Sequence, residues 1–461
     1  MDATDLAFAG LERQAELIRT GQVGSEELVE LYLERIARLD PQLNAYRVVL
    51  ADRALAEARG ADSRRAEGDA RPLLGVPIAV KDDADVAGEI TARGSNAVDV
   101  PAAGDSEVGR RLRAAGAVIL GKTNVPELMI VPFTESPTFG VTRNPWDLQR
   151  TPGGSSGGTA AAVAAGLCAA ALGSDGAGSI RIPAGCCGLF GLKAQRGRVP
   201  NAPYDAPWHG MAMPGPLSRR VIDSARFYDA VRDGGASFVE AARREPGRLR
   251  IALAPEAPPL SGVSADVEQL GGLHGTADLL RELGHDVVER PLDYPPAAVS
   301  HVLARYLRGV HDEGRALPHP ERLSRRTKAF MRIGGAIPTA AVRRAIAAAG
   351  ADAAHLDRVF DDGFDAVLTP MFTRGPLRVG EYEGHGALRT LTGSVRFVPW
   401  CGAFNHTGQP AAAVPAGFAG DGFPLSVQLV AAPEREDVLL SLSAQLERAR
   451  DWPARVPPVA A

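Results

Sequence analysis

The sequence predicts a single large α/β domain. Short apolar runs rich in β-branched residues alternate with helical segments, and this strand, helix, strand order recurs along the chain. Of the 461 residues, 45% are hydrophobic and 23% are charged, which is typical of globular proteins. The length would allow two or three domains, but neither an internal repeat nor a convincing linker divides the chain. A single unit is therefore the economical interpretation.

The first predicted elements lead to a lysine at a strand end. Ser25 fits the N-cap of a helix that runs to about Leu39. Residues 75–80 (GVPIAV) form a short apolar run, which predicts a buried strand with Lys81 at its carboxyl end. Residues 117–120 predict a second buried strand. Because α/β sheets bind ligands at the carboxyl ends of their strands, this end of the first strand is a candidate ligand site.

The second half of the chain repeats the pattern. Helices are predicted over residues 265–283 and through much of residues 296–360. Apolar runs predict further strands at residues 249–253, 286–289, 365–369, 411–414 and 425–430. The tail after Trp452 is expected to be loose.

Charge and composition exclude several classes of protein. The net charge of −4 and the mixing of acids with arginines give no nucleic-acid footprint. Residues 160–172, the longest apolar stretch, are too few to span a bilayer and suit a buried helix. The first residues show neither a basic region nor an apolar segment followed by a cleavage site, so we do not expect export. We therefore expect a cytoplasmic protein that binds neither nucleic acid nor a membrane.

The cysteines and histidines do not predict a metal site. The four cysteines fit a reducing cytoplasm, and their spacing suggests no zinc site; they are Cys168, Cys186, Cys187 and Cys401. The nine histidines are scattered, and we expect no metal ligand set among them. No cofactor is predicted.

Lysine is rare in this chain. There are 47 Arg but only four Lys, which are Lys81, Lys122, Lys193 and Lys328. Arg cannot release its proton and Lys can, so a retained Lys is a candidate for proton transfer, although chance and structural salt bridges explain any single one as well. Histidine is absent from residues 1–208. A base drawn from that region must therefore be a lysine or a carboxylate.

Two short motifs match known sites but lack their structural context. Residues 116–123 (GAVILGKT) satisfy the P-loop pattern, yet the four middle residues are themselves predicted strand, where a phosphate-binding turn is required. Residues 154–158 (GSSGG) match a nucleophile elbow, but the polar, proline-containing residues 144–153 before them do not form a strand. A hydrolase triad that uses Asp365 and His406 stays open as an alternative.

A different constellation fits the region better. Glycine and small residues at 173–178 precede Ser179, and such a stretch lets consecutive amides turn toward one point beside a nucleophilic hydroxyl. Ser155 and Ser156 lie in the other glycine-rich stretch. Lys81, if buried enough to lose its charge, could serve these hydroxyls as a base.

Each of these residues also has a structural interpretation. The serines could cap turns or helices, and Lys81 could simply pair with Asp82 or Asp83. Lys122 and Lys193 are assigned to structural hydrogen bonds rather than to chemistry.

Taken together, the motifs resemble the amidase signature family of serine hydrolases. The likeness includes Lys81, residues 153–158 (GGSSGG) and residues 173–181, with 24 residues separating Ser155 from Ser179. It continues through residues 188–193, 197–199, 215–217, 405–411 and 414–417. An ordered set of motifs at matching spacing over nearly the whole chain is far more specific than either short pattern.

The resemblance implies an amidase signature fold, in which helices cover both faces of a large mixed central β-sheet. It implies one amidase domain over residues 1–461. Within it we expect an N-terminal helical segment (1–75), a catalytic core with the motifs (76–220) and a helical and loop region that forms the substrate pocket (296–400).

The resemblance also implies a catalytic mechanism. Ser179 would be the nucleophile, Ser155 would relay its proton from a cis peptide after Gly154, and neutral Lys81 would be the general base. The oxyanion hole would consist of the amides of Gly176, Ala177, Gly178 and Ser179. A carboxamide would be hydrolysed through an acyl-enzyme to a carboxylic acid and ammonia or an amine.

Further residues are expected to support this site. Ser156 lies beside the relay serine, and we expect Asp175 and Arg181 to form an ion pair that braces the nucleophile loop. The family usually has glycine where this chain has Ala177. If that position needs a positive φ, the alanine is strained.

Substrate and partners are less constrained by the sequence. A neutral, partly apolar small-molecule carboxamide is the expected substrate, and a homodimer is left open. Five aromatic residues are candidates for an apolar pocket, or equally for the core: Phe133, Phe139, Trp208, Trp400 and Phe404. The alternatives are the A subunit of a glutamyl-tRNA amidotransferase, whose pattern residues 211–214 lack, and an inactive binding protein of the same fold.

Overall fold

The computed structural model describes residues 2–259 and 261–460. Its helices are α1 (Ala3–Ala7), α2 (Leu11–Arg19), α3 (Ser25–Leu43), α4 (Ala51–Ala66), α5 (Glu107–Ala114), α6 (Gly157–Ala164), α7 (Arg181–Cys186), α8 (Pro207–Gly210), α9 (Val221–Val231), α10 (Phe238–Arg243), α11 (Val267–Glu282), α12 (Ala298–Ala316), α13 (Arg325–Gly335), α14 (Thr339–Asp361), α15 (Ala387–Phe397), α16 (Gly402–Thr407) and α17 (Glu436–Arg450). Short 3₁₀ turns lie at Glu127–Met129, Pro320–Arg322, Trp452–Ala454 and Pro458–Ala460.

The strands are β1 (Tyr46–Val49), β2 (Pro77–Lys81), β3 (Val118–Thr123), β4 (Glu135–Ser136), β5 (Gly140–Val141), β6 (Ala171–Asp175), β7 (Gly191–Lys193), β8 (Met213–Leu217), β9 (Arg250–Leu253), β10 (Asp286–Glu289), β11 (Ala366–Pro370), β12 (Ala411–Phe418) and β13 (Pro424–Ala431). Strands were predicted to within two residues at both ends of β2, β9, β10, β11 and β13. The strand predicted at residues 117–120 ends three residues before β3 does, and the one at 411–414 covers the start of β12. The short strands β4 and β5 form a separate hairpin.

Two mixed sheets form the centre of the described part of the chain. One has the order β1-β3-β2-β6-β8, in which β2 is parallel to both of its neighbours and the two edge strands are antiparallel. The other has the order β10-β9-β11-β13-β12-β7. A bridge between Phe190 and Ser218 joins them, with backbone bonds of 3.0 and 3.2 Å. The predicted α/β fold with a mixed sheet flanked by helices is confirmed, as two sheets joined at one bridge.

The parallel centre of the first sheet explains the apolar runs in the sequence. Every residue of β2 and of β3 is buried. A parallel strand is covered on both faces, so it is apolar throughout rather than alternating. The polar residues that end these strands, Lys81, Lys122 and Thr123, are buried as well and must find partners inside the protein.

The predicted helix from Ser25 is confirmed, but its cap differs from the prediction. The N-cap position is Gly24, and Ser25 is the first helical residue. Asp62 of α4 accepts the amide N–H of Ser25 at 2.8 Å, while the Ser25 hydroxyl donates to the Gly75 carbonyl at 2.7 Å. An aspartate from another helix thus takes the role that the sequence assigned to Ser25.

The apolar stretch 160–172 was predicted to be one buried helix, and this prediction is wrong. Helix α6 ends at Ala164, and Gly166 follows with a φ of +63°. Glycine in this left-handed conformation just after a helix is a common terminator. Strand β6 then begins at Ala171. Within residues 2–259 and 261–460, none of the helices is long and apolar enough to span a bilayer.

The tail after Trp452 is packed, contrary to the prediction. The Trp452 indole donates to the Arg219 carbonyl at 2.9 Å, and the Arg219 guanidinium donates to the Pro453 carbonyl at 2.7 Å. Trp452 and Ala460 are buried. These long-range contacts fix a segment that has no regular pattern of its own.

Candidate active site

Lys81 ends β2 with its side chain fully buried. Its Nζ lies 2.8 Å from Ser155 Oγ, 2.8 Å from Ser174 Oγ and 3.3 Å from an oxygen of Asp83. Burial lowers the pKa of Lys81 from its ordinary value, and the nearby Asp83 carboxylate opposes this shift. The proposed base needs a serine hydroxyl within hydrogen-bond distance of the Lys81 amine, and Ser155 and Ser174 both meet this condition.

The hydrogen bonds around Lys81 define the direction of its lone pair. An ionised Asp83 can only accept, so the Ser174 hydroxyl, 2.5 Å away, donates to it. Ser174 Oγ therefore accepts a hydrogen from Lys81. In the neutral amine this leaves the lone pair free to accept the Ser155 hydroxyl hydrogen. The arrangement can draw a proton from Ser155.

Ser155 and Ser179 face the same cavity. The Gly154–Ser155 peptide bond is cis, as the family resemblance implied. Ser155 is buried, Ser179 is 9% exposed, and both line a cavity of about 970 Å³. The amide of Ser156 donates to the Ser179 carbonyl at 3.3 Å, which joins the two glycine-rich segments directly. Ser156 Oγ also contacts the backbone of Ser174.

The loop between β6 and α7 presents backbone amides beside Ser179. Among the described residues, the amides of Gly176, Ala177 and Ser179 have no hydrogen-bond acceptor. The amide of Gly178 differs, because it donates to Asp175 Oδ1 at 2.6 Å. Ala177 does not adopt a positive φ, whereas Gly178 has a φ of +119°. The extra methyl of Ala177 therefore introduces no left-handed strain.

Asp175 and Arg181 form the expected ion pair, and both side chains are fully buried. Arg181 Nε lies 3.0 Å from Asp175 Oδ2, and the guanidinium also contacts Asn405 and Gln428. Burial alone would raise the pKa of Asp175, but Arg181 and Asn405 hold it well below its usual range. The carboxylate is thus fixed in its charged form next to the loop that holds Ser179.

The other two buried lysines contact other residues than Ser155 and Ser174. Lys122 Nζ lies 3.0 Å from Asp82 and 2.7 Å from Thr91 Oγ1. Lys193 Nζ donates to the Ala194 carbonyl at 3.0 Å. Because Lys122 lies within β3, the P-loop pattern does not form a phosphate-binding turn.

The alternative hydrolase triad is not assembled. Asp365 accepts the Arg250 amide at 2.8 Å, and the His406 ring is bonded to Asp352 and Arg305. No strand directly precedes Ser156, as the sequence indicated. The elbow pattern is therefore accidental.

Of the five aromatic candidates, Trp208 lines the cavity and lies within α8. Phe133 stacks on Tyr382, and Phe139 lies against Arg47. Trp400 and Phe404 are buried in the core.

A cluster of histidines and an aspartate, which the sequence analysis missed, joins α12, α14 and α16. His301 Nδ1 and His406 Nε2 lie 2.6 and 2.8 Å from the same oxygen of Asp352. Arg305, a permanent donor, contacts His406 Nδ1 at 2.9 Å, so the ring proton of neutral His406 belongs on Nε2 and points at Asp352. A nitrogen that carries a hydrogen cannot ligate a metal, and the cluster fits hydrogen bonding between helices better.

Asp83 and Ser174 were not singled out as site residues from the sequence. Asp83 follows Lys81 by two positions and Ser174 precedes Ser179 by five. Asp83 lies in the turn after β2, and the sequence had suggested it only as a possible salt-bridge partner of Lys81, a contact that the structure shows at 3.3 Å. The contact between Lys81 and Ser174 spans 93 positions and carried no local signal.

Known proteins are similar to this chain along most of its length. The family model Amidase matches residues 27–440. A Mycobacterium tuberculosis protein named "Putative amidase AmiB2" is 52% identical over 462 residues, which cover 100% of each chain. The 6-aminohexanoate-cyclic-dimer hydrolase of a Pseudomonas species is 35% identical over 483 residues, covering 96% of this chain and 95% of that protein.

Solved structures show the same likeness. The structure of a 6-aminohexanoate cyclic dimer hydrolase complexed with substrate matches with a TM-score of 0.87 and 31% identity, over 99% of this chain and 100% of that one. The peptide amidase from Stenotrophomonas maltophilia matches with a TM-score of 0.81 and 26% identity, over 97% and 98% of the two chains. The resemblance seen in the motifs is confirmed along the whole chain, which belongs to the amidase family.

Proposed function

We propose that this amidase cleaves the C–N bond of a carboxamide through an acyl-enzyme on Ser179. The observation that carries the proposal is the 2.8 Å contact between Lys81 Nζ and Ser155 Oγ, at a lysine whose pKa is lowered by burial. Ser174 and Asp83 occupy the other side of the amine. A neutral buried lysine is a competent general base.

Acylation begins when Ser179 loses its proton. Ser155 takes that proton while giving its own to the Lys81 amine, and the Ser179 oxygen bonds to the carbonyl carbon. The C=O π pair moves onto the carbonyl oxygen. When the C–N bond breaks, the nitrogen leaves with a proton from Ser155, which Lys81 replaces. Water then attacks the ester by the same route and releases the carboxylic acid.

The charge on the carbonyl oxygen needs donors that are free in the resting enzyme. The amides of Gly176, Ala177 and Ser179 fit this need. The sequence analysis also included Gly178, but its N–H is held by Asp175 at 2.6 Å. We assign Gly178 to shaping the turn.

Three further residues hold this arrangement in place. The ion pair between Asp175 and Arg181 fixes the loop between β6 and α7. Ser156 contacts the backbone of Ser174, whose hydroxyl contacts the proposed base Lys81. They are positioning residues, because none of them reaches the reacting atoms in this mechanism.

The expected substrate is a neutral, partly apolar linear carboxamide. Similar proteins of this fold include a bacterial aryl acylamidase, with a TM-score of 0.85 and 25% identity, and the peptide amidase already named. The full-length relatives are named as amidases and hydrolases, so a free-standing enzyme is favoured over an amidotransferase subunit. The assignment of residues 296–400 to the substrate pocket, the cytoplasmic location and the homodimer stay predictions. The four free cysteines of the described residues support the cytoplasmic location.

The test combines a chemical label with matched variants. A fluorophosphonate should label Ser179, as mapped by mass spectrometry. In an ammonia- or amine-release assay over a panel of amides, Ser179→Ala, Ser155→Ala and Lys81→Arg should each lose at least about 10²-fold in kcat/KM. Arginine keeps its proton, so Lys81→Arg replaces the proposed neutral base with a permanent cation that cannot accept a proton.

Lys328→Arg is the matched control. Its ammonium is exposed and donates to the Glu321 carbonyl at 2.6 Å, so activity should be unchanged. Near-normal turnover by Lys81→Arg, or labelling at a residue other than Ser179, would disprove the assignment.

A further inference from the structure

Two cavities with different walls meet at Ser179. The larger, of about 970 Å³, and the smaller, of about 130 Å³, are both lined by Ser179, Met129 and Trp208. We propose that the smaller cavity receives the acyl group of the substrate and that its size limits productive acyl binding to about six carbon atoms beyond the carbonyl. This inference rests on Ser179 as the nucleophile.

The walls of the smaller cavity are almost entirely apolar. Val302 and Leu303 of α12 face Leu391 and Val395 of α15 across it. Tyr306 contributes one of the few polar groups of this cavity, and its hydroxyl already donates to the Ile130 carbonyl, so it needs no acceptor on a ligand. Such a lining favours a hydrocarbon group and disfavours a charged one.

The proton path decides which half of the amide enters which cavity. The leaving nitrogen must collect its proton from Ser155, so it departs on the side where Ser155 lies. Ser155, Ser174 and Asp83 line the larger cavity and not the smaller one. The amine therefore leaves through the larger cavity, and the acyl group occupies the smaller.

Cavity size sets the length of the acyl group. An apolar cavity of about 150 Å³ holds one benzene molecule, so this slightly smaller one holds an aryl ring or a chain of about six carbons. Val302, Leu303, Leu391 and Val395 are only half-buried, so the cavity opens between their two helices. A longer chain would extend into solvent and gain no further burial.

A series of linear N-acyl 4-nitroanilides tests this directly, because the leaving group is constant and chromogenic. From acetyl upward, kcat/KM should rise up to about fourfold per methylene, which corresponds to about 0.8 kcal/mol of burial. The rise should stop near six carbons beyond the carbonyl, and benzoyl or phenylacetyl should be accepted. A flat profile, or one that still rises at twelve carbons, would overturn the proposal.

Two variants should move the profile in opposite directions. Val302→Phe fills the cavity and should lower kcat/KM for hexanoyl but not for acetyl. Leu391→Ala enlarges it and should shift the break to longer chains. The matched controls Leu388→Ala, on the same helix, and Val267→Phe are exposed and should keep the parent profile.

Alkyl fluorophosphonates give a second measurement that does not depend on turnover. Their rate of reaction at Ser179 should show the same break in chain length. Labelling at Ser179 without this break overturns the acyl-cavity inference and leaves the proposed function standing. Labelling elsewhere, or anilide hydrolysis that survives Ser179→Ala, overturns the proposed function itself.

Discussion

Replacement of Asp175 by asparagine should weaken the whole protein as well as the site. The two carboxylate oxygens together accept hydrogens from the Gly178 amide, the Arg181 guanidinium and the Asn405 amide, among others. Oδ1 and Oδ2 each face at least one backbone amide and Arg181. Either orientation of an asparagine therefore sets its NH₂ group against other donors and leaves a buried guanidinium without its counter-charge.

The magnitude follows from burial. Removal of one partner of a fully buried ion pair costs about 3–5 kcal/mol. An unfolding entropy of about 2.1 cal/mol/K per residue gives about 1 kcal/mol/K for a chain of this length. The melting temperature should therefore fall by about 3–5 °C. The nucleophile loop loses its anchor at Gly178, so kcat should fall in the folded variant too.

Differential scanning calorimetry measures the first effect and an amide-release assay the second. Arg448→Met is the control, because Arg448 pairs with Glu245 at the surface, with side chains 49% and 68% exposed, and such pairs contribute little. If Asp175→Asn melts with the parent protein and retains full activity, the ion pair neither stabilises the fold nor positions the loop.

Two more changes follow from the same contacts. Burial lowers the pKa of Lys81, and the Asp83 carboxylate opposes that shift, so Asp83→Asn should lower the pKa further. Lys81 would then be neutral at lower pH, and the acid limb of the kcat/KM profile should shift to lower pH. An unmoved limb would show that another group controls it. Gly178→Ala should lower both stability and kcat, because φ is +119° there and a Cβ would lie 2.7 Å from a side-chain carbon of α7. The comparison variant Ala177→Gly keeps the backbone N–H and relieves no left-handed strain, so it should cost only about 0.4–1 kcal/mol and lower kcat less than Gly178→Ala does.

Local sequence patterns predicted β2, the strand that ends at Lys81, but missed β6, which carries Ser174 and Asp175. The apolar run before Lys81 is a buried parallel strand, and such strands must be apolar throughout, so its end was visible in the sequence. The scarcity of lysine marked Lys81 and, equally, two structural lysines. The chemistry of the glycine-rich stretches grouped Lys81 with Ser155 and Ser179, and the family motifs gave them their expected roles. No local pattern predicts the contact between Lys81 and Ser155, which lie 74 positions apart.

Where prediction failed, a distant segment had taken over a local role. Asp62 accepts the N–H at the start of the helix that Ser25 was predicted to cap. Arg219 donates to the Pro453 carbonyl in the tail that was predicted to be loose. In both cases burial required a hydrogen bond, but the partner was set by the tertiary fold. The occupied amide of Gly178 is a different kind of miss, because Asp175 lies only three residues earlier and its side chain accepts this N–H within a local turn.

The three buried lysines show why burial alone does not identify a base. Lys81, Lys122 and Lys193 all have a pKa lowered first by burial. Lys122 faces Asp82 at 3.0 Å, which favours its charged form, and Lys193 donates to a carbonyl, which cannot return a proton. Lys81 instead contacts the hydroxyl of Ser155, on the wall of the cavity. A hydroxyl partner alone does not select Lys81, because Lys122 also contacts one, Thr91 Oγ1, which donates to Asp85 at 2.7 Å. Ser155 differs because its segment is bonded to that of Ser179 through the Ser156 amide, and this proximity to the proposed nucleophile favours Lys81 as the base.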